Sequence, residues 1–206
     1  MSFSIYQLKP RFQQLLRPVL ASLTRCHVTP NQITLLALFL SIAYGLALAC
    51  YPQKPCLWLG LPVFMFVRMA LNAIDGMLAN YSNQKTPLGA ILNEICDQVS
   101  DAALVLPFVL VAGIHPALLI AVAMLALLVE FAGVAALLAG SSRRFDGPMG
   151  KSDRAFAFGL LGLLTGLQVA GIWLNAILAV VLLLSLWTLF NRIKRALQHR
   201  AAPPTP

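Results

Sequence analysis

The sequence predicts an all-α integral membrane protein with six transmembrane helices, preceded by an amphipathic helix lying at the membrane interface. Three observations carry this expectation. Of 206 residues, 59% are hydrophobic, and mean hydropathy is +0.80. Only 11% are charged, where soluble proteins carry about 25%. Apolar stretches of spanning length recur along the chain, and Lys and Arg gather on alternate turns between them. A soluble fold is excluded, and the net charge of +8 marks cytoplasmic loops rather than a nucleic-acid surface.

The elements follow in order. Ile5, Leu8, Phe12, Leu15, Leu16 and Leu20 recur at three- and four-residue spacing among polar and basic residues, so residues 1–28 read as a juxtamembrane amphipathic segment. Ile33 to Tyr51 is uncharged and long enough for ~30 Å of hydrocarbon. Its late start and length, after Lys9, Arg11, Arg17 and Arg25, argue against a cleaved signal peptide. Further apolar stretches run from Cys56 to Ile74, Leu88 to Ile114 and Pro116 to Ala139. Ala155 to Asn191 is uncharged over 37 residues, about 55 Å of helix, and must fold back near Gly171 to Asn175. Pro30, Pro55, Pro87 and Pro116 suit helix starts, because proline lacks the N–H that a first turn leaves unused. Residues 1–200 form one domain, and the Pro-rich 201–206 reads as a disordered tail.

With the N-terminus inside, fourteen of fifteen Lys and Arg are cytoplasmic, Lys54 being the exception. Both termini are therefore expected in the cytoplasm, and the compact chain without a targeting extension suggests a bacterial inner membrane. Cys50 and Cys56 bracket the first outer turn and could pair, although membrane cysteines usually just pack.

Four of the seven acids, Asp75, Glu94, Asp97 and Asp101, fall within 27 residues. At about 100° per residue, Asn93, Asp97, Asp101 and Glu94 share one helix face, and Arg68, Asn72, Asp75, Gly76 and Ala79 share another. A charge in a membrane helix costs at least a few kcal/mol, so such acids point to a functional site. Two readings remain open: a buried ion-pair network around Arg68, or a site where carboxylate and amide oxygens hold a hard divalent cation.

Written out, Asn72-x2-Asp75-Gly76-x2-Ala79-Asn80-x8-Gly89-x3-Asn93-x3-Asp97 resembles the signature of the CDP-alcohol phosphatidyltransferase family, with every spacing kept. Val28 to Thr34 is similar to the family's N-terminal boundary. Asn72 and Asn93 stand where the family has aspartates, and Asn80 where it has arginine. The resemblance implies transfer of a phosphatidyl group from CDP-diacylglycerol to an alcohol, with release of CMP, by a homodimer in the bilayer. It implies that Asn72, Asp75, Asn93 and Asp97 hold Mg²⁺ or Mn²⁺, as one or two ions, with Asp97 as candidate base. Asn72 and Asn93 can ligate through carbonyl oxygen but each removes a charge, for which Glu94 and Asp101 can compensate. Gly76, Ala79, Asn80 and Gly89 are then the CDP-lipid contacts, the glycines allowing close backbone approach. The three asparagines also leave room for a non-catalytic lipid-binding or regulatory relative.

Arg143, Arg144, Lys151 and Arg154 sit in the longest inner loop and at the helix start after it. The positive-inside rule alone accounts for them; their alternative role is binding a lipid phosphate or a phosphorylated acceptor. Glu130 can join the site or pair with Arg68. Trp58, Trp173 and Trp187 read as interface anchors or packing.

Overall fold

The computed structural model describes residues 9–198, within which every regular element is helical. Ile5, Leu8 and the expected tail at 201–206 lie outside the described residues. The helices are α1 (Lys9–Arg25), α2 (Pro30–Cys50), α3 (Pro55–Tyr81), α4 (Pro87–Val105), α5 (Pro116–Ala135), α6 (Lys151–Gly166) and α7 (Gly171–Gln198). Short 3-10 turns, Leu106–Leu110 and Ala136–Ala139, follow α4 and α5. Helices α2, α3, α4 and α5 each begin on the expected proline. Thr29 and Gln32 add a reciprocal cap to α2, and the Thr86 hydroxyl accepts from the Gly89 amide at the start of α4.

Four helical stretches are long and apolar enough to cross a membrane: Pro30–Cys50, Pro55–Tyr81, Pro116–Ala139 and Gly171–Gln198. The other two of the expected six fall short by this measure for physical reasons. Helix α4 carries Glu94, Asp97 and Asp101 and tightens into a 3-10 turn containing Pro107, while α6 has only 16 residues, about 24 Å. The fold-back after α6 comes at residues 167–170, slightly ahead of the expected place. There the Val169 amide returns to the Leu164 carbonyl and Gln168 adopts a left-handed conformation, which closes the helix before Gly171. Asn175 instead ties the start of α7 to the turn before α5, donating to the Gly113 carbonyl and accepting from the His115 amide. Cys50 and Cys56 are free thiols.

The packing is that of a protein in lipid: large apolar side chains face outward and charges face inward. Phe39, Phe66, Leu138, Trp173, Trp187 and Phe190 are exposed, whereas Arg68, Glu130, Arg154 and Arg192 are buried. Trp58 is a packing residue, buried against Phe108 and donating its indole N–H to the Pro52 carbonyl. Helix α2 packs against both α3 and α4, α3 against α6, and α5 against α7. Small residues permit the closest approaches: a side chain at Gly45 would strike the Ala103 backbone, and one at Gly166 the Leu59 backbone. Leu16, Leu20 and Leu23 of α1 pack with Ile33, Ile74 and Leu78 near the start of α2 and the end of α3.

Glu130 on α5 clamps the second half of the bundle. Its carboxylate meets Arg154 of α6 at 3.0 Å and Arg192 of α7 at 3.2 Å, rather than Arg68. Gly133, one turn on, leaves room for the Arg192 guanidinium, which also donates to the Val129 carbonyl. Removing one member of a buried pair strands the other charge, at a cost of about 3–5 kcal/mol. Glu130→Ala is therefore expected to lower the thermal midpoint of detergent-purified protein by well over that of an outward-facing Leu138→Ala control; equal midpoints would refute the clamp.

Candidate active site

The polar faces anticipated on two helices do come together, with the long side chains Arg68 and Asn72 joining α3 to α4. Arg68 of α3 contacts Asp101 Oδ1 at 2.6 Å and Asp97 Oδ1 at 3.7 Å, and donates to the Asp97 backbone carbonyl. Asn72, one turn along, donates its amide N–H to Asp97 Oδ1 at 2.7 Å. Lys151, the first residue of α6, pairs with Asp97 Oδ2. Asp97 is buried, so these partners replace the water it would otherwise bind.

Beside this cluster is a cleft of about 240 Å³ between α2, α3 and α4. Its walls include Asn31 and Thr34 of α2, Asp75, Gly76 and Ala79 of α3, and Gly89, Ala90 and Asn93 of α4, with Gln84, Lys85 and Thr86 at the connecting turn. A Cβ added at Gly76 meets nothing within 4 Å, so this position keeps the cleft open. Gly89 lies close to Asn31 Oδ1 and the Thr86 hydroxyl, which a side chain would crowd. Asn80 turns its amide back onto the Gly76 carbonyl of its own helix. A larger groove of about 560 Å³ runs between α6 and α7, but its walls are apolar and offer no groups for phosphate chemistry.

Asp75 is buried and accepts a hydrogen bond from the Thr34 hydroxyl at 2.9 Å. Among the described residues it forms no ion pair. Asn93 Oδ1, in the same cleft, is buried without a hydrogen-bond partner. A carboxylate without an ion-pair partner and an amide oxygen without a donor, on residues that line one cleft, fit a hard divalent cation, which takes oxygen ligands. Asp97 fits one less well, since Asn72, Lys151 and Arg68 already engage it. No cluster of three or more His, Cys, Asp and Glu side chains suited to a metal occurs among the described residues.

The two acids expected to compensate for Asn72 and Asn93 are turned toward arginines. Glu94 forms a two-pronged pair with Arg143, and Asp101 lies between Arg68 and Arg154. Each cation considered for phosphate binding has an acidic partner: Arg143 has Glu94, Arg144 has Asp146, Lys151 has Asp97, and Arg154 has Asp101 and Glu130. Arg154 is buried deeply enough to be part of the interior.

Two residues escaped the sequence reading. Thr34 lay in the quoted N-terminal stretch, yet nothing local showed its hydroxyl reaching Asp75, 41 positions away. Arg192 follows the last apolar run, where the sequence marks it only as one of the expected cytoplasmic cations. Its signal was the stripe Leu178, Val181, Ser185 and Thr188, whose helical spacing continues to 192 on the buried face of α7.

The chain resembles known proteins in sequence and in fold. The chain is 47% identical over 195 residues to inner membrane protein YnbA of Escherichia coli K12, covering 94% of this chain and 96% of that protein. Its fold matches phosphatidylinositol phosphate synthase PgsA1 of Mycobacterium tuberculosis, solved with CDP-DAG bound, with a TM-score of 0.74, 18% identity and coverage of 92% of this chain and 100% of that one. A second structure of that synthase, in complex with manganese and citrate, gives a TM-score of 0.70 at 20% identity, over 92% and 94% of the two chains. Residues 27–188 match the CDP-alcohol phosphatidyltransferase family model, and the chain belongs to that family.

Proposed function

We propose that this protein transfers a phosphatidyl group from CDP-diacylglycerol to the hydroxyl of an alcohol and releases CMP. The observation that carries the reading is the cleft walled by Asp75, Gly76 and Asn93, with Asp97 held one helical turn beyond Asn93. The family assignment supports the reaction class, and the CDP-DAG in the related synthase supports the donor.

The acceptor oxygen attacks the lipid-side phosphorus, the bond from that phosphorus to the bridging oxygen breaks, and CMP departs with the electron pair. Asp75 and Asn93 would hold a divalent cation, whose charge favours the diphosphate and the departing CMP. Gly76 leaves space for the diphosphate and nucleotide. Asp97 receives the acceptor's proton; Asn72 and Lys151 fix that carboxylate's orientation. Thr34 holds Asp75 toward the cleft. Arg143 and Arg144 can reach an anionic acceptor only by exchanging Glu94 and Asp146 for it.

We place the protein in a bacterial inner membrane, as the similarity to YnbA supports, with all six long helices α2–α7 traversing the bilayer and α1 along the inner face. Both termini and the cleft are cytoplasmic, and the protein acts as a homodimer. Lys54→Cys, in a chain with its own four cysteines replaced by alanine, is expected to react with an impermeant maleimide added outside spheroplasts, whereas Gln84→Cys is expected to react only after lysis. The reverse pattern would invert the orientation.

The reaction itself is tested by CMP release from CDP-diacylglycerol across a panel of alcohols, with Mg²⁺, Mn²⁺ or EDTA. Metal-dependent release with at least one alcohol, reduced at least ~10²-fold by Asp97→Asn, is expected. Undiminished release by that variant would remove Asp97 from proton transfer. No release with any alcohol, despite binding of the CDP-lipid, would favour a non-catalytic lipid-binding protein.

A further inference from the structure

Five carboxylates line the polar interior, and their counter-charges are unevenly shared. Glu94, Asp97, Asp101 and Glu130 each form an ion pair with Lys or Arg, while Asp75 forms none among the described residues; its carboxylate is held by the Thr34 hydroxyl and the Gly76 backbone, with the Lys151 ammonium in its neighbourhood. Asp75 is thus the carboxylate without an ion-pair partner of its own, and it lines the same cleft as Asn93, whose buried Oδ1 has no hydrogen-bond partner.

Asp97 is in the opposite condition. Lys151 occupies one carboxylate oxygen, and Asn72 turns its nitrogen, not its oxygen, toward the other. Because the acceptor there is a carboxylate oxygen, the amide must present its N–H, an orientation opposite to that of a metal ligand. A cation at Asp97 would have to displace a half-buried ammonium and reverse an amide, against the nearby Arg68 guanidinium.

We propose that this chain holds a single divalent cation, on Asp75 and Asn93, and that the Lys151 ammonium is the built-in counter-charge of Asp97, closing that side to a second ion. Together Asp75, Asp97 and Lys151 carry one net negative charge; one divalent cation makes it one net positive charge, suited to an anionic diphosphate. Asn72 and Asn93 then become intelligible as a pair. Asn93 supplies a neutral oxygen to the ion, and Asn72 supplies a donor to the carboxylate that no ion occupies. The inference takes the site from the transferase reading, but the ion count can be measured without turnover.

Electron paramagnetic resonance of Mn²⁺ titrated into the full-length, detergent-purified chain counts bound ions, because the free-ion signal disappears on binding. One Mn²⁺ per chain is expected, weakened at least about tenfold in Asp75→Asn, with two per chain in Lys151→Gln. Two ions or none in the unaltered chain would overturn the proposal. So would an affinity unchanged by Asp75→Asn, or one ion in Lys151→Gln protein that elutes as the unaltered chain does. If Lys151→Gln does not fold, the unaltered chain and Asp75→Asn still decide. CMP release measured on the same samples separates the two claims: one bound ion without CMP release supports the ion count while overturning the transferase reading.

Discussion

A carboxylate inside a lipid-embedded bundle must be compensated where it stands, since no water is at hand to screen it. That constraint organises this molecule. Asp97 on α4 is answered by Arg68 and Asn72 from α3 and by Lys151 from α6. Asp101 joins Arg68 to Arg154, and Arg154 leads to Glu130 and Arg192. The chain of charges thus runs from α3 and α4 through α6 to α5 and α7. Helix packing brings the backbones together at small residues, while these pairs specify which face of each helix turns inward.

The same arrangement accounts for the site. Glu94, Asp97, Asp101 and Glu130 each have an ion-pair partner, whereas Asp75 has none among the described residues and lines the cleft. The polar cluster is also what ties the helices: Arg68 joins α3 to α4, and Lys151 starts α6 and faces Asp97. The loop cations are committed before any substrate arrives.

Much of this was legible in the sequence because it depends on short-range regularities. Proline at 30, 55, 87 and 116 marked four helix starts, and the spacing of Asn93, Asp97 and Asp101 placed them on one face. Six full spans were expected from apolar length alone, but α4 gives part of its apolarity to the acids and α6 closes after 16 residues. What stayed hidden was pairing between helices. A local pattern announces that Glu130 is buried, yet the choice of Arg154 and Arg192 over Arg68 depends on how α5, α6 and α7 pack. Thr34 is the same case, since a hydroxyl's partner 41 residues away leaves no periodic trace.

The central claim is that Asp97 and Lys151 compensate one another inside the bundle. A double-mutant cycle on thermal unfolding in detergent, with Asp97→Asn, Lys151→Met and the double variant, tests it directly. Each single substitution leaves a buried charge with fewer partners, so both should destabilise, and the double variant should recover at least about 1 kcal/mol relative to their sum. Strictly additive losses would show that the two groups do not compensate one another, and would contradict the account.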